Sequence, residues 1–292
     1  MINEKVDIEE KQQLRIKRGE IYNKLGISRQ AYSKWRAEER QAAYRKQIVL
    51  ELLEERAKEF PKEGIKKRYI MIKEELRKLG INYGRDKVYS IAKAHGILQR
   101  RKRKGKRTTN SAHDFGYSPN LVKELEVNRI NQVWYGDITY LRVRDDFMYL
   151  SVIIDSYSRK ILGYSLREDL SEALSIEALE RAIKTSKLGK DSGLIFHSDR
   201  GVQYASHRFK RLLGRYGILS SMAGKGMSYE NAYVERVHRT LKEEFDLGMI
   251  YPDEKELKRA VSRAIKLYNS GRPHMSLGYK TPDEVYAQVR AA

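Results

Sequence analysis

The order in which strand-like and helix-like stretches follow one another constrains this chain most. From Gln132 the pattern is that of strands. Val133 to Val143 is rich in Val, Trp, Tyr, Ile and Thr, Phe147 to Asp155 is a second such run, and Lys160 to Leu166 a third. The separators, Arg144-Asp145-Asp146 and Ser156-Tyr157-Ser158-Arg159, are short and turn-like, which predicts an antiparallel three-strand meander. A helix is then expected over 171–186, a short buried-type strand over 194–198, a helix over 206–216, a strand over 218–222 and a helix over 231–245. Helices over 253–269 and 281–289 close the chain.

This β-β-β-α-β-α-β-α order is similar to the ribonuclease-H-like fold, an α/β architecture with a mixed five-stranded sheet and flanking helices. The fold by itself assigns no function. Ahead of it the chain reads as all-α. Ser28 stands where an N-cap belongs, and 30–58 contains no Gly or Pro and is dominated by Ala, Leu, Glu, Arg and Lys. Pro61 and Gly64 break that helix. Arg68 to Leu79 places Ile72, Leu76 and Leu79 on one face, Gly80 fits a C-terminal cap, and 85–95 repeats the pattern with Val88, Ile91 and Ala92. Two short helices joined by a tight Gly-containing turn in a basic setting suggest a helix-turn-helix. The expected organisation is a basic helical region over 1–60, a DNA-binding helix-turn-helix over 61–98, a basic linker and connection over 99–128, an α/β core over 129–250 and a helical extension over 251–292.

Charge supports that division. The formal net charge of +20 is unevenly spread, +16 over residues 1–110 and +4 over 111–292. Seven of the eight positions from Arg100 to Arg107 are basic, too dense a run to pack, so it reads as a solvated linker. A concentrated positive body attracts polyanions, because every phosphate it neutralises releases condensed counterions. Nucleic acid is the expected partner, with Arg85, Lys87, Arg101 and Arg103 as candidate contacts. No run of 18 apolar residues is present, so no membrane span is expected, and the polar, acidic opening MINEKVDIEE predicts no leader. The absence of cysteine excludes disulfides and thiolate zinc sites, and a cytoplasmic, nucleoid-associated location is expected.

Three carboxylates stand out. Asp137 lies inside the first strand, where Asp is depleted and costly to bury unpaired. Asp199 follows the buried-type strand 194–198, and ligands gather at the carboxyl ends of strands in open α/β sheets. Glu235 sits one turn into the helix that begins near Asn231. In a ribonuclease-H-like sheet the first and fourth strands are neighbours and this helix crosses their ends, so the three meet. Carboxylates converging from separate elements suit Mg²⁺ or Mn²⁺, and two such ions about 3.5–4 Å apart can serve both the attacking and the leaving oxygen of a phosphodiester displacement. Asp155 ends the second strand and reads as turn chemistry. His197 reads as a satisfied structural histidine. His238, Arg239 and Lys242 continue the Glu235 face and are candidate DNA contacts, as are Lys225 and Asn231 in the glycine-containing segment 223–231.

The phrases VWYGDITYL (133–141), HSDRGVQY (197–204), SMAGKGMSYENAYVERVHRTLKEE (221–244) and YNSGRPHMSLGYKTPDEVY (268–286), with thirty-five residues between Asp199 and Glu235, resemble the second-frame (OrfB) transposases of bacterial insertion sequences, which carry a retroviral-integrase-like Asp-Asp-Glu core. The resemblance runs from about residue 60 to the C-terminus. It implies that Asp137, Asp199 and Glu235 are catalytic and hold two Mg²⁺ or Mn²⁺ ions. It implies strand cleavage at element ends and attack by the freed 3′-hydroxyl on another phosphodiester. It also implies double-stranded DNA ends and target as partners, a homo-oligomer on DNA, and in many members a first-frame DNA-binding protein fused by frameshifting. The chain departs from the family at Glu230, usually Asp, and at Arg236, often Ser. Two other readings share the basic front region: a catalytically inactive transposon-derived DNA-binding regulator, and a nuclease of the same fold that only hydrolyses.

Overall fold

The computed structural model describes residues 22, 26–98, 118–224 and 231–291. They fall into two compact units, one formed by residues up to 55 with 72–97, the other by 56–71 with the chain from 98 onward.

The first unit is helical. Helix α1 (Arg29–Glu59) starts where the Ser28 hydroxyl accepts the Ala31 N–H at 3.1 Å, and it buries Val49, Leu50 and Leu53. Helices α2 (Ile65–Lys78) and α3 (Arg85–Ala94) end on the same device. Gly80 and Gly96 adopt φ of +70° and +69°, which a side chain would strain. The following residue then reaches back, Ile81 N–H to Leu76 O at 2.8 Å and Ile97 N–H to Ala92 O at 3.0 Å, closing a Schellman turn each time. Ile72, Leu76, Ile81, Val88, Ile91 and Ala92 are the buried residues that this geometry aligns.

The second unit is the α/β body. Strands β1 (Val133–Val143), β2 (Asp146–Asp155) and β3 (Ile161–Arg167) form the antiparallel meander. Helix α4 (Glu172–Ser186) leads to β4 (Ile195–Ser198), and helices α5 (Val202–Ala205) and α6 (His207–Arg215) lead to β5 (Leu219–Met222). Helix α7 (Ala232–Glu244), strand β6 (Ile250–Tyr251), helix α8 (Glu254–Ser270) and helix α9 (Pro282–Ala291) complete the chain. The sheet order is β3-β2-β1-β4-β5, with β4 parallel to both neighbours, which is the ribonuclease-H-like arrangement. Two-residue β6 adds a sixth strand beside the far end of β1, a pairing too short to leave a sequence pattern.

Alternation along β1 divides the core. Val133, Tyr135, Leu141 and Val143 face α7 and α8 with Val234, Val237, Leu241, Leu257 and Val261. Trp134 faces α4 and α6 with Leu179, Ala182, Phe209 and Leu213. At roughly 1.5–3 kcal/mol for each large aliphatic side chain buried, these two layers supply most of the drive to fold. Two glycines admit the close approaches. A Cβ on Gly163 would stand 2.1 Å from Ala178 O of α4, and one on Gly136 would stand 2.4 Å from Phe196 Cζ. Helix α9 begins on a capping box. The Thr281 N–H donates to Glu284 Oε2 at 2.6 Å, the Glu284 N–H returns a bond to Thr281 Oγ1 at 3.2 Å, and Pro282 occupies the first turn, where its missing N–H costs nothing.

Candidate active site

The parallel pairing of β1 with β4 ends at Gly136 opposite Ser198. Asp137, inside β1, and Asp199, just past the end of β4, are the next residues along, so the backbone register sets Asp137 beside the carboxyl end of β4. Asp137 projects to the α7 face, by alternation from Tyr135. Glu235 lies in the first turn of α7, the helix packed across this face.

The electrostatics place all three in one neighbourhood. Burial holds the Asp137 carboxyl well above the usual carboxylate range, and the charges of Asp199 and Glu235 raise it further, against the Ile138 N–H and Lys242. Burial and Glu235 likewise raise Asp199, while the Gly201 N–H, donating to Asp199 Oδ1 at 2.9 Å, opposes them. The buried Tyr204 hydroxyl of α5 is pushed up by desolvation and then by both aspartates. A carboxyl raised by neighbouring carboxylates, as Asp137 is by Asp199 and Glu235, is held near them against repulsion. Among the described residues, no three His, Asp or Glu side chains close on one point tightly enough to share an ion.

The other candidates separate. His238 was expected to face DNA. It is instead 6% exposed, with Nε2 3.6 Å from Asp137 Oδ2 and neither ring nitrogen hydrogen-bonded among the described residues. Burial, followed by Lys242, pushes its imidazole down to about 3, so it is neutral at pH 7. Asn231 is also buried; its Nδ2 donates to Gly136 O at 3.5 Å, which ties the start of α7 to β1 beside Asp137. The position of each on the helix was legible, but not the side of it that the sheet covers. Arg239 is exposed, as are Lys87 and Arg85, the last paired with Asp86 at 2.9 Å. Lys242 is half-buried: Nζ donates to Thr139 Oγ1 at 2.7 Å and stands 4.7 Å from the Tyr140 ring centroid. Arg101, Arg103, Lys225 and Glu230 lie outside the described residues.

Asp155 and His197 behave as structural residues. Asp155 is fully buried and accepts bonds from the Asn131 N–H, the Ser158 N–H and the Ser158 hydroxyl at 2.6–2.7 Å. His197 is fully buried, with Nδ1 2.9 Å from Ser221 Oγ and Tyr135 against its ring. Sequence reasoning missed Tyr140 and Phe147, whose rings meet edge-to-face at 5.3 Å and are 57% and 39% exposed. An alternating strand pattern would have flagged them had the outer face of β1 and β2 been scored for exposed aromatics.

The mixed sheet thus carries acidic side chains where β1 passes the carboxyl end of β4. Residues 127–228 match one family described as integrase core domain, and residues 216–282 match a second of the same description. The chain is 31% identical over 276 residues to the Shigella sonnei protein described as the insertion element IS600 uncharacterized 31 kDa protein, covering 91% of this chain and 98% of that one. It is 32% identical over 213 residues to the Escherichia coli K12 transposase InsF for insertion sequence IS3A, covering 72% and 73%. Among solved structures, the HTLV-2 integrase catalytic core in complex with magnesium aligns with 54% of this chain and 97% of that one, at 22% identity and a TM-score of 0.43. The chain belongs to the bacterial insertion-sequence transposases with an integrase-like core.

Proposed function

We propose that this transposase cleaves and joins DNA strands with Asp137, Asp199 and Glu235 as its catalytic carboxylates. The observation that carries the reading is the β1–β4 register, which sets Asp137 beside the end of β4 where Asp199 follows, with both carboxyls raised by burial and by neighbouring carboxylate charge. The donor set is all-oxygen and carries an excess of like charge, which suits hard divalent ions such as Mg²⁺ or Mn²⁺. Such a pair of ions, when bound, lowers the pKa of the attacking hydroxyl and offsets charge on the leaving oxygen.

The chain's own part is to gather three carboxylates on rigid elements and to keep nearby groups neutral or anchored. His238, uncharged and buried, does not compete for the Asp137 carboxyl as a cation would. Lys242, tied to Thr139, adds positive charge at the rim without collapsing onto Asp137. In the joining step the 3′-hydroxyl oxygen of one strand forms a bond to phosphorus of another. The P–O3′ bond in line with it breaks, the hydroxyl proton passes to water, and the departing oxygen takes one up. Exposed Arg239 contacts DNA backbone in this reading, and α2 and α3, with exposed Arg85 and Lys87, form the helix-turn-helix that engages the element ends. Two ends must be held together, so the active form is an oligomer on double-stranded DNA.

The test is joining of a labelled short duplex bearing the element end to target DNA. Product is expected with Mg²⁺, none with EDTA, and none for Asp199→Asn. Unchanged joining by Asp199→Asn overturns the assignment. DNA binding without strand cleavage by the intact chain would make it a DNA-binding regulator.

A further inference from the structure

Three residues beyond Asp137, β1 carries a solvent-facing feature that the carboxylate chemistry leaves unused. Tyr140 and Arg142 project from one face of β1, and across the antiparallel register Phe147 pairs with Arg142 and Tyr149 with Tyr140. Tyr140 and Phe147 are 57% and 39% exposed, their centroids are 5.3 Å apart and their planes meet at 90°. The patch is cationic as well as aromatic. Arg142 is exposed beside Phe147, and the Lys242 ammonium, from the helix that carries Glu235, stands 4.7 Å from the Tyr140 centroid. Lys242 also feels the Asp137 charge, so the aromatic pair and the carboxylate site border on one side chain. Strand β4 stops at Ser198 and β6 joins β1 only at Arg142, so the β1 edge between Asp137 and Arg142 has no strand beside it among the described residues.

We infer that Tyr140 and Phe147 form a stacking subsite for an unpaired base of the DNA strand whose phosphodiester lies at the Asp137 site. The inference rests on the reading of that site as one for DNA chemistry. Two large rings left in solvent forgo burial, and a base returns it by stacking. Stacking accepts any base, because every base has a π-face, and the flanking Arg142 and Lys242 neutralise the adjoining phosphates. Asp137 and Tyr140 alternate to opposite faces of β1, so a strand that joins them rounds the open β1 edge beside Lys242, which reaches both Thr139 and the Tyr140 ring and fixes the span. That gives the enzyme a way to position a strand end without reading its sequence.

The experiment uses the full chain in EDTA with a 15-nucleotide single-stranded DNA carrying one 2-aminopurine at successive positions. The wild type and Tyr140→Phe are expected to quench the probe strongly at one position. Tyr140→Ala with Phe147→Ala should abolish that quenching and weaken single-strand binding on the order of tenfold, while affinity for a blunt duplex changes by less than about twofold. Thermal unfolding checks the fold, and Phe147→Leu, which keeps apolar bulk but no aromatic face, decides the matter if the double variant is unstable. Quenching and affinity unchanged in the double variant and in Phe147→Leu overturn the proposal, as does a loss of self-association in place of a loss of oligonucleotide binding. The same preparations assayed for Mg²⁺-dependent joining keep the two ideas apart. Joining by the wild type with quenching intact in the double variant removes the subsite and leaves the carboxylate reading. Tyr140-dependent quenching with no joining removes the chemistry and leaves a single-strand subsite.

Discussion

Asp137 and Asp155 sit on adjacent strands, three positions apart in the register that pairs Trp134 with Asp155, and both are taken out of water at a cost. Their surroundings differ in kind. Burial raises the Asp155 carboxyl, but three donors from Ser158 and Asn131 pull it back, so its charge is satisfied within the turn it closes. Burial raises Asp137 too, and its next strongest influence is another carboxylate. One aspartate has its desolvation offset in part by hydrogen bonds, though its carboxyl stays raised, and serves the fold. The other is left in a field that only a cation would relieve, which is an expense that chemistry explains and packing does not.

The comparison breaks most sharply on activity. Asp137→Asn should lower DNA joining by roughly a thousandfold or more while leaving the denaturant midpoint unchanged or raised, since a like-charge repulsion is removed. Rate and unfolding measured on one preparation test this, and a variant that unfolds instead would place Asp137 with Asp155. A third charged site at the far end of α7 extends the contrast. Burial acts to raise the Glu244 carboxyl, but Arg272, bonded to it twice at 2.7 Å, and Lys67 outweigh it, leaving Glu244 lowered. Arg272→Ala removes the two shorter of these bonds, leaves Lys67 at 3.3 Å, and should cost about 3 kcal/mol in urea unfolding. Asp155→Ala leaves donors unpaired around the β2–β3 turn and should cost about 3 kcal/mol, with specific activity of the folded fraction retained.

Two smaller effects sharpen the picture. Mg²⁺ at about a hundredfold over its dissociation constant should raise wild-type stability by about 2.7 kcal/mol and that of Asp137→Asn by clearly less, as read by thermal unfolding. His274 accepts a bond from Arg272 Nη1 at 3.0 Å, and burial followed by Arg272 pushes its imidazole down to about 3. Its folded pKa lies below the unfolded value near 6.5, so the unfolded chain takes up the proton first as pH falls. Its contribution is therefore whole above about pH 6.5 and shrinks by at most about 1.4 kcal/mol per pH unit below it, down to about 3. His274→Gln should flatten this part of the stability–pH curve; an unchanged slope would mean that His274 is not neutral in the folded chain.

Much of this was legible residue by residue. The Val- and Tyr-rich run at 133–143, the Ser28 cap and Gly80 each announced a local conformation through alternation, hydrogen-bonding capacity or freedom of φ. Short elements were not, since two-residue β6 and four-residue α5 offer no period to read. Nor was the burial of His238, because Glu235, His238 and Lys242 share a helix face whichever way it turns. The Glu244–Arg272 clamp escaped because twenty-eight residues separate groups that only folding brings within 2.7 Å.

Sequence alone determined the order of the longer elements, the placing of an acidic residue within the first strand, after the fourth and in the first turn of a late helix, and the weight of positive charge ahead of residue 110, since each follows from local pattern and composition. Tertiary structure alone decided that β4 lies against β1, that His238 turns inward while Tyr140 turns outward, and that Arg272 meets Glu244. Those outcomes depend on contacts between distant parts of the chain, whose energies belong to the packed sheet and helices rather than to any one segment.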